Sequence, residues 1–235
     1  MLIIIFVAVL WYGGLFFQSF FLHRYAAHQV FTMSKTMERI TFVLTWIFQG
    51  PSYLSAYGYG IMHRMHHAYT DTEKDPHSPS HDANLFAMMW KTKTIYQEIN
   101  TQQVDVDPRF TKNVPQWKGF DLFASSRFSR VLWITAYILF FAFFVTSWWQ
   151  WFLLPVTFLM APIYGYVNYT MKNTSKNLFR FDFLMMGEGY HNNHHKHASR
   201  ANFGVKWYEI DVTYVIIKVL DALGFIHLKP IKVKS

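Results

Sequence analysis

Three short windows hold eight of the chain's twelve histidines: "HRYAAH" (His23, His28), "HRMHH" (His63, His66, His67) and "HNNHH" (His191, His194, His195). On a helix, positions i, i+3 and i+4 share one face within about 100° of arc, so each HxxHH offers converging imidazoles. Neutral imidazole is a common ligand for iron, copper and zinc. His23 and His28 lie five apart, about 140° round a regular helix, so one of them is expected where the helix unwinds. Eight imidazoles exceed the ordinary coordination number of a single ion and suit two metals sharing the set. The chain contains no cysteine, which excludes disulfides, thiolate metal sites and a Cys nucleophile.

Redox chemistry fits this donor set better than hydrolysis. The sequence has no HExxH, so the usual glutamate base of a zinc protease is missing. Soluble di-iron bundles rely on Glu and Glu-x-x-His ligands, whereas this chain offers almost only imidazole. An all-nitrogen, largely neutral shell at a membrane surface suits iron that activates O₂ against an unactivated C–H bond. Asp71, Glu73 and Asp75 follow the second window and Glu188 precedes the third. These carboxylates are placed to accept the outer N–H of liganding histidines and fix their rings. His77, His81, His197 and His227 read as ordinary histidines.

The elements that must position these residues are read from charge-free stretches. Of 235 residues, 52% are hydrophobic, 20% aromatic and only 15% charged, a composition that points towards a membrane. Residues 1–22 carry no ionisable side chain and would reach about 33 Å as a helix, enough to cross hydrocarbon. "ITFVLTWIF" runs into Gln49-Gly50-Pro51, which suits an interfacial or re-entrant segment (about 38–56) better than a crossing. The window 131–171 reads as two spans, 131–147 and 152–169, turned at "TSWWQW" with its tryptophans at the interface. "DVTYVIIKVLDALG" (211–224) reads as a surface helix opening at an Asp cap and closing at Gly. The expectation is one all-α membrane domain over 1–235, with about three spans and a helical cap. One span before His23, no crossing in 40–62 and two in 131–171 return all three windows to the same side. A crossing in 40–62 would hold the first two windows ~30 Å apart. The formal charge of +8 fits cytoplasmic Lys and Arg facing anionic lipid, and no basic stripe suggests nucleic acid.

With their flanks, "FLHRYAAH", "HRMHHAYTDTEKDPHSP" and "GEGYHNNHH" resemble the three histidine boxes of membrane fatty-acyl desaturases of the stearoyl-CoA type, in the same order. That resemblance implies a helical membrane domain with a cytosolic cap and two iron ions bound by His23, His28, His63, His66, His67, His191, His194 and His195. It further implies a fatty-acyl substrate (CoA-, acyl-carrier-protein- or lipid-linked) and an external electron donor, a ferredoxin or cytochrome b5-type protein. The implied setting is the bacterial cytoplasmic membrane, boxes on the cytoplasmic side. Two features depart from the family. It commonly has four spans where this chain reads as about three, and it supplies a ninth histidine in Asn-x-x-x-His. Here Asn168 is followed by Lys172 at that spacing, and an ammonium has no lone pair for iron. Water, Glu188 or His197 are the substitutes within reach of the argument. The alternative activities are a di-iron lipid or carotenoid hydroxylase or ketolase, and a catalytically silent relative that keeps the boxes.

Overall fold

In the computed structural model of the chain, the described residues are 1–76, 78, 84–156, 168–169 and 175–230. They are mostly helical, with almost no sheet. The exception to an all-α reading is a short antiparallel ribbon, β1 (Phe31–Met33) against β2 (Ile226–Leu228), with Thr32 opposite His227. The ribbon clips the N-terminal third of the chain to its C-terminal tail.

The N-terminal rod is helix α1 (Leu2–Phe17) continued without a break by a π-helical stretch, Gln18–Ala27. Together they make a rod of 26 residues with a long apolar stretch, about 39 Å at the α-helical rise. The helix does not unwind at His23, and it ends with His28 as its C-cap, so one of the pair does stand where the helix stops. Between the two it widens: the His28 N–H donates to the His23 carbonyl at 3.1 Å, an i→i+5 bond. Such bonds set residue i+5 one turn above residue i, so His23 and His28 stack, with ring centroids 5.0 Å apart.

Helix α2 (Lys35–Gln49) starts at a Ser34 cap and runs antiparallel to the upper half of the rod. Tyr25 bonds Glu38, and Phe21 and Phe17 pack on Phe42 and Phe48. At fifteen residues it reaches about 22 Å, short of the ~30 Å of hydrocarbon. Gly50 adopts φ +53 and, with Pro51, turns the chain into α3 (Ala56–Tyr69), capped by Ser55. The returning α3 carries the second histidine window back beside the first, so 40–62 holds a helix, a turn and a second helix that returns, the shape of a re-entrant segment.

Four further helices are α4 (Leu85–Asn100), α5 (Pro108–Thr111), α6 (Lys118–Ala124) and α7 (Arg127–Phe144). The last is apolar and long enough to cross a membrane, as is the N-terminal rod. It runs beside α1, with Phe6 stacked on Phe140 at 3.9 Å, and much of its apolar surface is exposed. After α7, "TSWWQW" holds a 3₁₀ stretch, Trp148–Phe152, which opens at a capping box of Ser147 and Gln150 and leads into α8 (Leu153–Val156). The span read over 152–169 otherwise lies outside the described residues, apart from 168–169. Towards the C-terminus, α9 (His191–Lys196) carries the third window. Helix α10 (Val212–Ala222) begins at an Asp211 cap and ends at Gly224 with φ +76.

The main core explains the clip. Phe20, Phe21, Leu22, Ala26, Phe31 and Phe42 from the N-terminal elements bury against Ile217 and Ile226 from the tail. A second cluster, Ile61, Ile99 and Phe110, seats α3 on α4 and α5.

Candidate metal centre

The π-helix, α3 and α9 meet at their histidines. His23, His28, His63, His67 and His194 place one ring nitrogen each within 4.8 Å of one another, and His66, His191 and His195 form a second such group. The groups adjoin: His67 and His195 stack with centroids 4.4 Å apart. All eight sequence-predicted histidines thus stand in one of two sets. His28 and His63 approach to 3.0 Å, so the first two windows meet.

In the larger set the Nε2 atoms form a run, His23–His194–His67–His63–His28, with successive separations of 2.9, 3.0, 3.0 and 3.0 Å. A neutral imidazole nitrogen carries either one hydrogen or one lone pair. Each Nε2 can therefore join a single hydrogen bond, and five atoms in a row can satisfy at most two of the four contacts. The others bring lone pairs together, which a shared cation resolves. Nitrogens bound at ~2.1 Å in cis positions would sit about 3.0 Å apart, the spacing observed. In the smaller set, His195 Nε2 is buried with no hydrogen-bond partner, a free donor atom as a metal ligand requires.

Burial and mutual repulsion keep five of the donors neutral. Burial, then the neighbouring histidines, hold His28, His63 and His194 well below the ordinary imidazole range. The same causes lower His195 and bring His67 down to about 3. Neutral imidazole is the metal-binding form.

Carboxylates fix two of the rings from behind. Glu188 Oε2 accepts from His23 Nδ1 at 2.5 Å, and Asp75 Oδ1 faces His66 Nδ1 at 2.9 Å. Each leaves the ring's Nε2 aimed into its set. Asp71 stands one step further out: its backbone N–H donates to Asp75, and its carboxylate accepts from Ser78. Asn168 does not face the histidines through its amide. Its Nδ2 donates to Asn193 and Glu209. His197 meets the Tyr169 hydroxyl at 3.2 Å and belongs to neither set. His227 lies exposed on β2, while His77 and His81 lie outside the described residues.

Several residues that position the site were not read from the sequence. Arg24 is fully buried, its guanidinium 3.7 Å above the Phe203 ring. It donates to Glu188 Oε1 at 3.0 Å, to Asp211 Oδ2 at 2.6 Å and to the Ser19 hydroxyl. Burial pushes the Glu188 carboxyl up, but the charges and hydrogen bonds of His23, Arg24 and Ser19 outweigh it and hold the group down at about 2. The glycines around Glu188 have a steric role. Gly187 sits at φ +98, and a Cβ there would come 2.4 Å from Asp211, while one on Gly189 would come 2.7 Å from Asp182. Asp182 accepts the N–H groups of both glycines, which folds the loop so that Glu188 turns inward. Behind α9, Asn193 donates to the Phe203 carbonyl and Glu209, and Asn192 donates to the carbonyls of Tyr169 and Ser175. Their only signal was their place between the histidines of the third window.

Known proteins give an independent view. A family profile described as "Fatty acid desaturase" matches residues 2–222. The chain is 30% identical over 219 residues to "sn-1 stearoyl-lipid 9-desaturase" of Synechocystis sp., covering 86% of this chain and 63% of that protein. It is 27% identical over 228 residues to "Delta-9 desaturase-like 5 protein" of Arabidopsis thaliana (88% and 69%). To "Delta-9 acyl-lipid desaturase 2" of the same plant it is 26% identical over 215 residues (86% and 66%). The chain thus spans about two thirds of the length of these relatives. On the profile match, which runs through all three histidine windows, the chain belongs to the fatty acid desaturase family.

Proposed function

We propose that the chain is a membrane di-iron fatty-acyl desaturase, introducing a cis double bond into a saturated acyl chain with O₂ and two electrons from an external donor. The observation that carries this reading is the convergence of three separate histidine windows into a set of five and an adjoining set of three. His23, His28, His63, His67 and His194 would hold one iron, and His66, His191 and His195 the other. Bound iron supplies the reductive activation of O₂ against a C–H bond. The balance closes: O₂ becomes two waters, taking two hydrogens with their electrons from adjacent methylenes, two electrons from the donor and two protons from solvent.

The chain's own residues prepare the centre. Glu188 and Asp75 hold the outer nitrogens of His23 and His66, which fixes both rings. Arg24 and Ser19 in turn fix Glu188. Glu188 faces His23 and His197 faces Tyr169, so of the three substitutes for the absent ninth histidine, water is the one left to complete the smaller set. The names of the relatives support an acyl chain carried on a lipid as substrate. The two apolar helices support a site at a membrane.

The test is product mass. Iron-loaded protein in lipid micelles is given dithionite and O₂, and the acyl chains are weighed by mass spectrometry. Loss of two hydrogens, abolished in His67→Ala, is the expected result. Gain of one oxygen would assign the chain to the hydroxylases, and no product from an iron-loaded sample would make it a silent relative.

A further inference from the structure

An open cavity of about 540 Å³ lies against the larger histidine set, and its lining includes Ala27, His28, Gln29, Arg64, Arg109 and Lys112. His28 belongs both to this lining and to the five-histidine set. A molecule seated in the cavity would therefore be separated from the proposed iron by a single imidazole.

The lining is cationic. Arg64 donates to four backbone carbonyls, those of Ala26, Ala27, Phe110 and Lys112. Among the described residues it has no ion-pair partner, so its charge stands uncompensated under the cavity floor. Lys112 is exposed, its backbone pinned by Arg64 and Gln29. Arg109 pairs with Asp107, but both are about half exposed, where such a pair is weak. The adjoining segment 196–200, which contributes Ser199 to the lining, adds Lys196 and Arg200 and no acid.

Ala27 to Gln29 lie at the far end of the rod from its exposed apolar residues Leu2, Ile4, Ile5 and Val9. At ~1.5 Å per residue, that end stands about 27 Å or more from Val9.

We propose that this cavity is the docking site of the external electron donor, a small acidic one-electron carrier, and that His28 is where its electrons enter. The proposal rests on the desaturase reading, whose reaction needs two electrons that the chain cannot itself supply. An acidic carrier would give up one electron per encounter, being oxidised as the centre is reduced, and two encounters serve each double bond. Charge complementarity over a concave basic surface raises the encounter rate and fixes orientation.

The test measures binding and needs no turnover. The full chain in neutral detergent is titrated against an immobilised acidic plant-type ferredoxin, and separately against the soluble haem domain of a cytochrome b5, at low and high salt. One of the two carriers is expected to bind, more weakly as salt rises. The double variant Arg109→Glu, Lys112→Glu should lose about tenfold or more of that affinity, while Lys218→Glu on α10 should not. Equal binding by the double variant, or no binding of either carrier, would overturn the proposal. So would a loss confined to vesicles of anionic phosphatidylglycerol, which would make the surface a lipid site. Dithionite-driven turnover separates the two readings: product from dithionite with unaltered carrier binding sinks the docking site alone, and no product even from dithionite sinks the desaturase.

Discussion

Glu188→Gln removes one negative charge at a point where three partners converge. Its Oε2 holds His23 Nδ1 at 2.5 Å, and its Oε1 accepts from Ser19 at 2.6 Å and Arg24 at 3.0 Å. The amide keeps the shape and one acceptor oxygen. The bond to His23 falls from a charge-assisted one, about 1.5–3 kcal/mol, to a neutral one nearer 1 kcal/mol. Outer partners of liganding histidines are worth about 10- to 100-fold in metal affinity, roughly 1.4–2.8 kcal/mol, the same order. Arg24 keeps Asp211 at 2.6 Å, so the fold should survive. Glu188→Ala goes further, since breaking one arm of a buried ion pair costs about 3–5 kcal/mol. Anaerobic titration of metal-free protein with Fe(II) against a chelator reads the affinity, and thermal unfolding in detergent reads the stability. The expected outcome is iron affinity down about 10- to 100-fold in the Gln variant with little change in midpoint, and both falling in the Ala variant. Wild-type iron affinity in both variants would refute the role of Glu188 as the partner that aims His23.

Other perturbations test other parts of the account. Asp75→Asn should weaken the three-histidine set through His66, so that a chelator strips about half of the iron first while the rest stays; loss of all iron together would contradict the division into two sets. Metal-free protein should lose stability as pH falls below ~6.5, because His28, His63, His67, His194 and His195 stay neutral in the fold but protonate when unfolded. The slope is up to about 1.4 kcal/mol per pH unit for each histidine, and equal unfolding midpoints at about pH 7.5 and 5.5 would contradict it. Gly50→Ala should cost about 1–3 kcal/mol, since φ is +53 and a Cβ would lie 2.2 Å from the Tyr137 hydroxyl; an unchanged thermal midpoint would show that the turn between α2 and α3 tolerates a side chain.

The histidine windows were legible because their information is local. Three residues at i, i+3 and i+4 announce a shared face wherever a helix forms, and α3 and α9 did form there. The five-residue spacing of His23 and His28 was legible as an anomaly but not as its cause. A π-helix trades regular pairing for a wider turn, and it forms where the rod packs against α3, a neighbour that residues 18–27 do not announce. Glu188 could be singled out by its position before the third window. Arg24 could not, because its partners lie 164 and 187 residues away and nothing in "HRYAAH" marks an arginine that will be buried. The same holds for Asn193 and Glu209, which meet only once the tail has folded over α9. Gly50 and Pro51 were legible as a break in an interfacial or re-entrant segment over 38–56, whereas the positive φ at Gly50 that turns the chain into a second helix shows only in the fold.

Iron per chain tests the central claim most directly. Detergent-purified protein from iron-replete cells is analysed for metal and for protein by amino-acid content. Eight imidazoles divided into five and three predict close to two irons per chain, falling towards one when His66 and His195 are both replaced by alanine. One iron or fewer in the unaltered protein would contradict the paired centre.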